Sequence, residues 1–522
     1  MISQKALDSI TLIMFLIILL AIPIGLVQVI LGGSLFSNVS AWMLRAVEII
    51  FGITIVLMIV VLVLENEDPV HTLAWILVLL YIPVVGFFIY LFFGRNWRKS
   101  RLFSRKELQD SFRFEDVAGQ FFKPDGRENF SPLQKRISKL LDNNSKAILT
   151  YRNEVDILAD TNDALDLICE EIAKARRYVH LEYFSIARDS TGKRLKELLI
   201  RKASEGVEIR FIYDDVGCWN LGPRFKAELR KAGVQFVPFM PVWIPFLNSR
   251  LNYRNHRKLV IVDGSIGFLG GLNIGDKYMG KSKYFGYWRD SQVKLRGESV
   301  MALQAIFLMD WFFVSKQNLL TRESFANFAQ LPEPSSQEEL YKPVQITASG
   351  PDTDHASIMQ AYFCAISNAQ RSIRITTPYL ILNGSLLMAF KTAALSGVKI
   401  QIILPGKADH FIVFWGSRSY YRELLELGIE IYEYQAGFIH AKVLIVDDEL
   451  LSTGTANMDL RSFNHNFEVA AMIYDESITA QALEHFAEDM SKSRKIELAE
   501  FQRRSIFKKG VESLCRLFSP LL

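Results

Sequence analysis

Long apolar runs occupy residues 10–31, 46–64 and 73–93. From about residue 106 onward, short β-branched or aromatic runs alternate with charged stretches of helical period. Each apolar run reaches the ~20 residues that a helix needs to cross the hydrocarbon layer, so three transmembrane helices are expected. Only Lys5 precedes the first run and no convincing small-residue cleavage site follows it, which reads as a span and not a secretion signal. Arg95, Arg98, Lys99, Arg101, Arg105 and Lys106 follow the third run, whereas Glu65, Glu67 and Asp68 fill the turn before it. This asymmetry of basic residues places the large C-terminal part in the cytoplasm.

Strands alternating with helices predict an α/β layered fold. The pattern also repeats. A helix ending near 178 runs into a strand over 179–184, and one ending near 372 into a strand over 373–379. Helix 194–204, Gly206 and strand 207–213 are echoed by helix 386–395, Gly397 and strand 398–404. Helix 225–232, Gly233 and strand 234–237 are echoed by helix 421–427, Gly428 and strand 429–432. Each glycine stands where a left-handed cap ends a helix. The proline- and serine-rich stretch 331–345 is the natural linker. The expected organisation is therefore an anchor over residues 1–106, a first half over 107–335 and a second over 336–522. The two halves should be similar α/β/α sandwiches related by a pseudo-two-fold axis.

Composition narrows the chemistry. The chain has 522 residues, and its 60 basic and 56 acidic side chains leave a formal charge of only +4, so a general nucleic-acid surface is not indicated. Mean hydropathy is +0.15, high for a purely soluble enzyme. Cys169, Cys218, Cys364 and Cys515 stand far apart with no neighbouring histidine at zinc spacing, so a reduced, metal-free and cofactor-free protein is expected.

One five-residue pattern occurs twice in register: His256, Lys258, Asp263, Gly270, Asn273 and His440, Lys442, Asp447, Gly454, Asn457. The runs after the lysines, LVIV and VLIV, read as buried strands. Side chains two apart on a strand share a face, so each histidine and lysine project side by side. Asp263-Gly264 and Asp447-Asp448 then read as turns into returning strands, which bring Asn273 and Asn457 back towards the histidines. Asp263 and Asp447 pin those hairpins. Packed together, the copies surround one pocket with two imidazoles, two ammonium groups and two amides. That set suits a phosphodiester. Lysines and amides stabilise charge growing on its equatorial oxygens, one imidazole attacks phosphorus, and the other donates a proton to the leaving alkoxide.

The repeated pattern resembles the H-x-K-x4-D-x6-G-S/T/G-x-N motif of the phospholipase D superfamily. Longer matches, LNYRNHRK at 251–258, GGLNIGDKY at 270–278, YWRD at 287–290, SRSYY at 417–421 and GTANMDLRSF at 454–463, resemble bacterial cardiolipin synthases. Gly271 departs from the serine of the general pattern, but a Gly-Gly pair is similar to the synthase branch. The resemblance implies transfer of a phosphatidyl group from one phosphatidylglycerol to another through a phosphohistidine, releasing glycerol, without metal or nucleotide. By analogy it implies His256 as nucleophile, His440 as acid/base, and a catalytic part facing the cytoplasm from a multi-pass cell-membrane anchor. Asp290 and Glu468, each about thirty residues after a motif histidine, resemble the family's histidine-orienting carboxylates. A hydrolytic phospholipase D would use the same residues, with water as acceptor, and a scaffold that only binds anionic lipid is a third class.

Two segments suit lipid contact. Residues 236–247, FVPFMPVWIPFL, are too apolar for an ordinary loop and carry three prolines that disfavour a core strand or helix; they either line an acyl-chain entrance or wedge between domains. Phe411 to Trp415 is a candidate counterpart in the second half. The tail from Phe501 mixes Arg503, Arg504, Lys508, Lys509 and Arg516 with Phe507, Leu514, Leu517, Phe518 and Leu521, as an interfacial helix on anionic lipid does.

Overall fold

The computed structural model describes residues 41–64, 69–82, 86, 90, 127–242, 252–321, 342–353 and 355–519. The chain divides into two compact units, one built mainly from residues 1–98 and the other from residues 99–245 and 250–522. In the smaller unit, helices Ala41–Leu64 and Pro69–Tyr81 pair through Ile55, Met58, Leu62, Trp75 and Leu79, and Tyr90 sets its ring edge-on to Trp75 at 5.3 Å. The second expected span falls on the first of these helices. The third begins in a 13-residue helix, too short to cross by itself. Among the described residues no helix is long and apolar enough to cross a membrane. The run at 10–31, the acidic turn, the basic cluster at 95–106 and linker residues 331–341 lie outside the described residues.

The larger unit carries two sheets. The strands of the first half are β1 (Leu149–Thr150), β2 (Asn153–Asp160), β3 (Tyr178–Tyr183), β4 (Glu208–Asp214), β5 (Gln235–Phe239), β6 (Leu259–Val262), β7 (Ile266–Gly270) and β8 (Tyr287–Gly297). Those of the second are β9 (Val344–Ser349), β10 (Ser372–Thr376), β11 (Lys399–Pro405), β12 (Glu430–Tyr434), β13 (Gly437–Ile439), β14 (Val443–Val446), β15 (Leu450–Gly454), β16 (Glu468–Ile473) and β17 (Ser493–Lys495). One sheet runs β13-β8-β7-β6-β3-β4-β5, with β2 also on β8. The other runs β1-β9-β16-β15-β14-β10-β11-β12-β17. The order 8-7-6-3-4-5 in one thus reappears as 16-15-14-10-11-12 in the other.

Alternation along the strands builds three cores. Leu259 and Ile261 of β6 point into a central core shared with Ile445 of β14, Val469 and Ala471 of β16 and the helix Ser299–Ser315. Val260 and Val262 point the other way, onto helices Thr161–Lys174, Ser190–Ser204 and Gly222–Lys231. Leu444 and Val446 do likewise in the second half, against helices Ser357–Asn368 and Gly384–Leu395. The period of two therefore sends successive residues to opposite faces of a sheet buried on both sides. The helix-ending glycines behave as their positions predict: Gly206, Gly233, Gly397 and Gly428 have φ of 88°, 89°, 90° and 79°.

Two placements were not legible in the sequence. Helix Pro132–Asn144, held by a capping box of Ser131 and Gln134, precedes the first repeat in the chain yet contributes Leu133, Ile137 and Leu141 to the outer core of the second. Its link is β1, which adds to β9. The strand expected over 234–237 runs on through Pro238 as the edge strand β5, into the segment whose prolines disfavoured a core strand, with Phe236 and Phe239 fully buried. An edge position tolerates Pro238 because the ladder needs its N–H least there. Trp243 to Leu247 lie outside the described residues.

Candidate active site

The site forms where each half reaches into the other. Just before β6, the Phe467 N–H donates to Arg254 O at 2.9 Å and the His256 N–H donates to Phe467 O at 3.0 Å, so the strand entering His256 lies against the start of β16. In the second half β13 leaves its own sheet and pairs in parallel with β8, and the next N–H, from His440, donates to Arg289 O at 2.7 Å. Each histidine is thus delivered beside a carboxylate of the opposite half. His256 Nδ1 lies 2.8 and 3.0 Å from the two Glu468 oxygens, and His440 Nδ1 lies 2.7 Å from Asp290 Oδ2. Both carboxylates are almost fully buried. A carboxylate on Nδ1 orients the ring and turns Nε2 away from it; at His440, Nε2 lies 3.2 Å from Lys442 Nζ. The sequence brought these four residues to attention, but not the exchange of partners.

Lys258 donates from Nζ to His256 O at 2.6 Å, and Lys442 donates to His440 O. Lys442 Nζ also stands 2.7 Å from His440 Nδ1. The two sets act on one another electrostatically. Lys442 depresses His256 and Lys258 depresses His440, so the copies share one site. Burial pulls both imidazoles down to about 4; Glu468 opposes this at His256, while Lys442 adds to it at His440 and Asp290 opposes it. Burial likewise lowers Lys258 to about 7 and Lys442 to about 8, against the attraction of Glu468 and Asp290. For Asp290, burial raises the carboxyl, but Lys442 and His440 more than offset it and hold it below the usual carboxylate range. Burial thus disfavours the charged form of all four cationic groups, and an entering anion would favour it again.

Asn273 Oδ1 accepts the Ser185 N–H at 3.2 Å. Asn457 Nδ2 donates to Asp459 Oδ2 at 3.2 Å, while its Oδ1 is buried with no hydrogen-bond partner among the described residues. Both asparagines are almost fully buried. Asp263 and Asp447 stand elsewhere, at the far ends of β6 and β14. The Asp263 carboxylate accepts N–H groups of Arg176, Arg177 and Tyr178 at 2.8, 2.8 and 3.0 Å, and that of Asp447 accepts those of Gln370, Arg371 and Ser372 at 2.8, 2.7 and 2.9 Å. Both begin two-residue turns with positive φ at both positions, 51° and 71° at Asp263-Gly264, 53° and 61° at Asp447-Asp448, as a right-twisted hairpin requires.

Close approach explains the glycines. A Cβ on Gly270 would lie 2.2 Å from Ser291 O, and one on Gly454 would lie 2.3 Å from Val469 O. A Cβ on Gly271 would lie 2.0 Å from Asp290 Oδ1, so the carboxylate that holds His440 rests against bare backbone. The equivalent position in the second half is Thr455, whose hydroxyl donates to Glu468. Three further residues shape the site without having been singled out. Ser291 Oγ accepts the Lys442 N–H at 3.2 Å. Asp214 Oδ2 accepts the Asn255 N–H at 3.0 Å. Asn255 donates to the buried Glu182. Ser291 was within reach of sequence reasoning as the neighbour of Asp290, whereas nothing local marks Asp214 or Glu182, which meet the motif only through sheet pairing.

Residues 168–311 and 362–490 match the family model described as cardiolipin synthase, PLD-like domain, and residues 52–95 match the phospholipase D-nuclease N-terminal family. A cardiolipin synthase of Geobacillus sp. (strain WCH70) is 44% identical over 494 residues, covering 94% of this chain and 97% of that protein. The major cardiolipin synthase ClsA of Bacillus subtilis (strain 168) is 41% identical over 484 residues, covering 91% of this chain and 98% of that protein. Among solved structures, the phosphatidylserine synthase of Haemophilus influenzae Rd KW20 superposes with a TM-score of 0.57 at 15% identity, covering 74% of this chain and 99% of that chain, a likeness of fold.

Proposed function

The chain belongs to the cardiolipin synthase family of phospholipase D-like proteins, and from that premise we propose a phosphatidyltransferase that joins two phosphatidylglycerol molecules into cardiolipin and free glycerol. The observation that carries the reading is the crossed pairing of His256 with Glu468 and of His440 with Asp290 around two buried lysines. In this reading His256, neutral because burial holds it near 4, attacks the phosphorus of the first lipid through Nε2. The P–O bond to glycerol breaks, and the leaving alkoxide takes the Nε2 proton of His440. The phosphodiester supplies the negative charge that lifts His440 back towards the protonated form needed for this step. Lys258, Lys442 and the Nδ2 groups of Asn273 and Asn457, the latter shared with Asp459, donate to the equatorial oxygens. His440 then removes the proton from the terminal hydroxyl of the second lipid, that oxygen attacks phosphorus, and the P–N bond of the phosphohistidine breaks. Asp263 and Asp447 act through the hairpins they pin.

The relatives' names favour a lipid alcohol over water as acceptor. The apolar runs at 10–31, 46–64 and 73–93 and the basic residues after them support a cell-membrane anchor with the catalytic unit on the cytoplasmic side. Incubating the purified chain with phosphatidylglycerol alone, in the presence of a chelator, tests the reaction. Cardiolipin and glycerol are expected; phosphatidic acid and glycerol would identify a hydrolase.

A further inference from the structure

The helix Ile506–Arg516 is packed inside out. Its strongly amphipathic sequence should turn its apolar face to the protein. Instead Ile506, Leu514 and Leu517, which share a face at helical spacing, point to solvent with Phe507 and Phe518 beside them; Ile506 is 88%, Phe507 77% and Leu517 75% exposed. The side turned inward carries Glu512, only 2% exposed, which Arg504 grips with both Nε and Nη2 and towards which Arg418 is directed. Five large apolar side chains on one short segment make a contiguous patch of the kind a monomer rarely leaves to water.

Chemistry at the edge of this patch identifies what covers it. On the flank towards the protein, a surface pocket of 460 Å³ is lined by Ser419, Arg422, Lys509, Glu512, Ser513 and Arg516, with Gln502 and Arg504 completing it. Glu512 is spent on Arg504. Arg422 is shared with Glu426 at 2.8 Å and Arg516 with Glu423 at 3.4 Å, contacts at the rim that an incoming anion can replace. Lys508 and Lys509 have no acidic partner among the described residues. A protein partner or a second copy would be served by the apolar face alone; only a surface that is oily below and negative above suits both features at once. The patch also continues towards the active site. The helix packs on Phe411–Arg418, whose Phe411 and Ile412 are themselves exposed, and Asp409, two residues before Phe411, acts electrostatically on Lys442.

We propose that this C-terminal face seats the catalytic unit on an anionic bilayer, the apolar stripe entering the acyl boundary and the pocket around Lys509 and Arg516 receiving a phospholipid phosphate. It rests on the lipid-substrate reading above, and the test separates the two. The full chain is reconstituted into phosphatidylglycerol vesicles and, in parallel, given dihexanoyl phosphatidylglycerol below its micellar concentration. Turnover of the short-chain lipid by the parent tests the reaction itself, independently of docking. For the triple variant Phe507→Ser, Leu514→Ser, Leu517→Ser, vesicle turnover is expected to fall roughly tenfold while short-chain turnover stays within about twofold. The pair Lys509→Gln, Arg516→Gln is expected to lose several-fold on the same vesicles and to lose less once salt screens the parent. Leu514→Phe with Phe507→Trp, which keeps the stripe apolar, is expected to retain vesicle turnover and thereby excludes a folding defect. Unchanged vesicle turnover in the triple variant, parallel loss on both substrates, or a parent oligomer that the triple variant dissolves would each overturn the proposal.

Discussion

At the scale of the residue, the chemistry turns on two imidazoles that burial holds neutral and that a carboxylate from the other half orients and pulls back towards the charged form. His256→Ala and His440→Ala are each expected to lower kcat by about 10³-fold or more, with no loss of folding by circular dichroism. Glu468→Gln and Asp290→Asn keep the shape but remove a charge, and roughly a hundredfold loss in kcat is expected for each. The pH profile carries a sharper signature. His256 works unprotonated, so kcat/KM falls as pH drops through about 4, and the lysines work charged, so it falls as pH rises through about 7 to 8. Glu468 is what raises His256 against burial, so Glu468→Gln moves the acidic limb to still lower pH; an unmoved limb would assign that limb to another group. The motif side chains were legible as residue types in register. Their partners were not, because a carboxylate 212 positions from His256 is found only by sheet pairing.

At the scale of the element, the repeated hairpins hold the site in place. Asp447→Ala strands three backbone N–H groups, of Gln370, Arg371 and Ser372, and is expected to cost about 2–4 kcal/mol in a thermal or denaturant melt while leaving His440 and Asp290 in contact. Gly271→Ala is expected to do the reverse. Its methyl group occupies the place of Asp290 Oδ1, so the carboxylate must shift away from His440, and kcat should drop at least tenfold with little change in melting temperature. Equal activity of this variant and the parent would show that the close approach is not needed. Helices, strands and the glycines ending them were legible in the echo between the halves because local period and cap chemistry decide them. β5 was legible in the same echo as far as Val237; its continuation through Pro238 was not, because proline argues against a strand locally and only the edge position makes it acceptable. The C-terminal helix was legible as amphipathic, but which face it shows depends on Glu512 meeting Arg504.

At the scale of the whole molecule, the halves are joined by exchange. β13 of the second sits on β8 of the first, and β1, which precedes the first repeat, sits on β9 of the second. Neither half expressed alone is expected to turn over lipid, since each would hold a histidine without its carboxylate. The repeat announced two similar halves, but the crossing could not be read from it, because similar halves packed side by side would give the same sequence pattern. The claim on which everything rests is that phosphorus is held on His256 while His440 moves the protons. It is tested most directly by quenching the enzyme during turnover of phosphatidylglycerol labelled at phosphorus and mapping the modified peptide. The account predicts an acid-labile, base-stable phosphoramidate on His256 that is present in the parent and absent from His256→Ala. Label on any residue other than His256, or none at all while cardiolipin still forms, would contradict it.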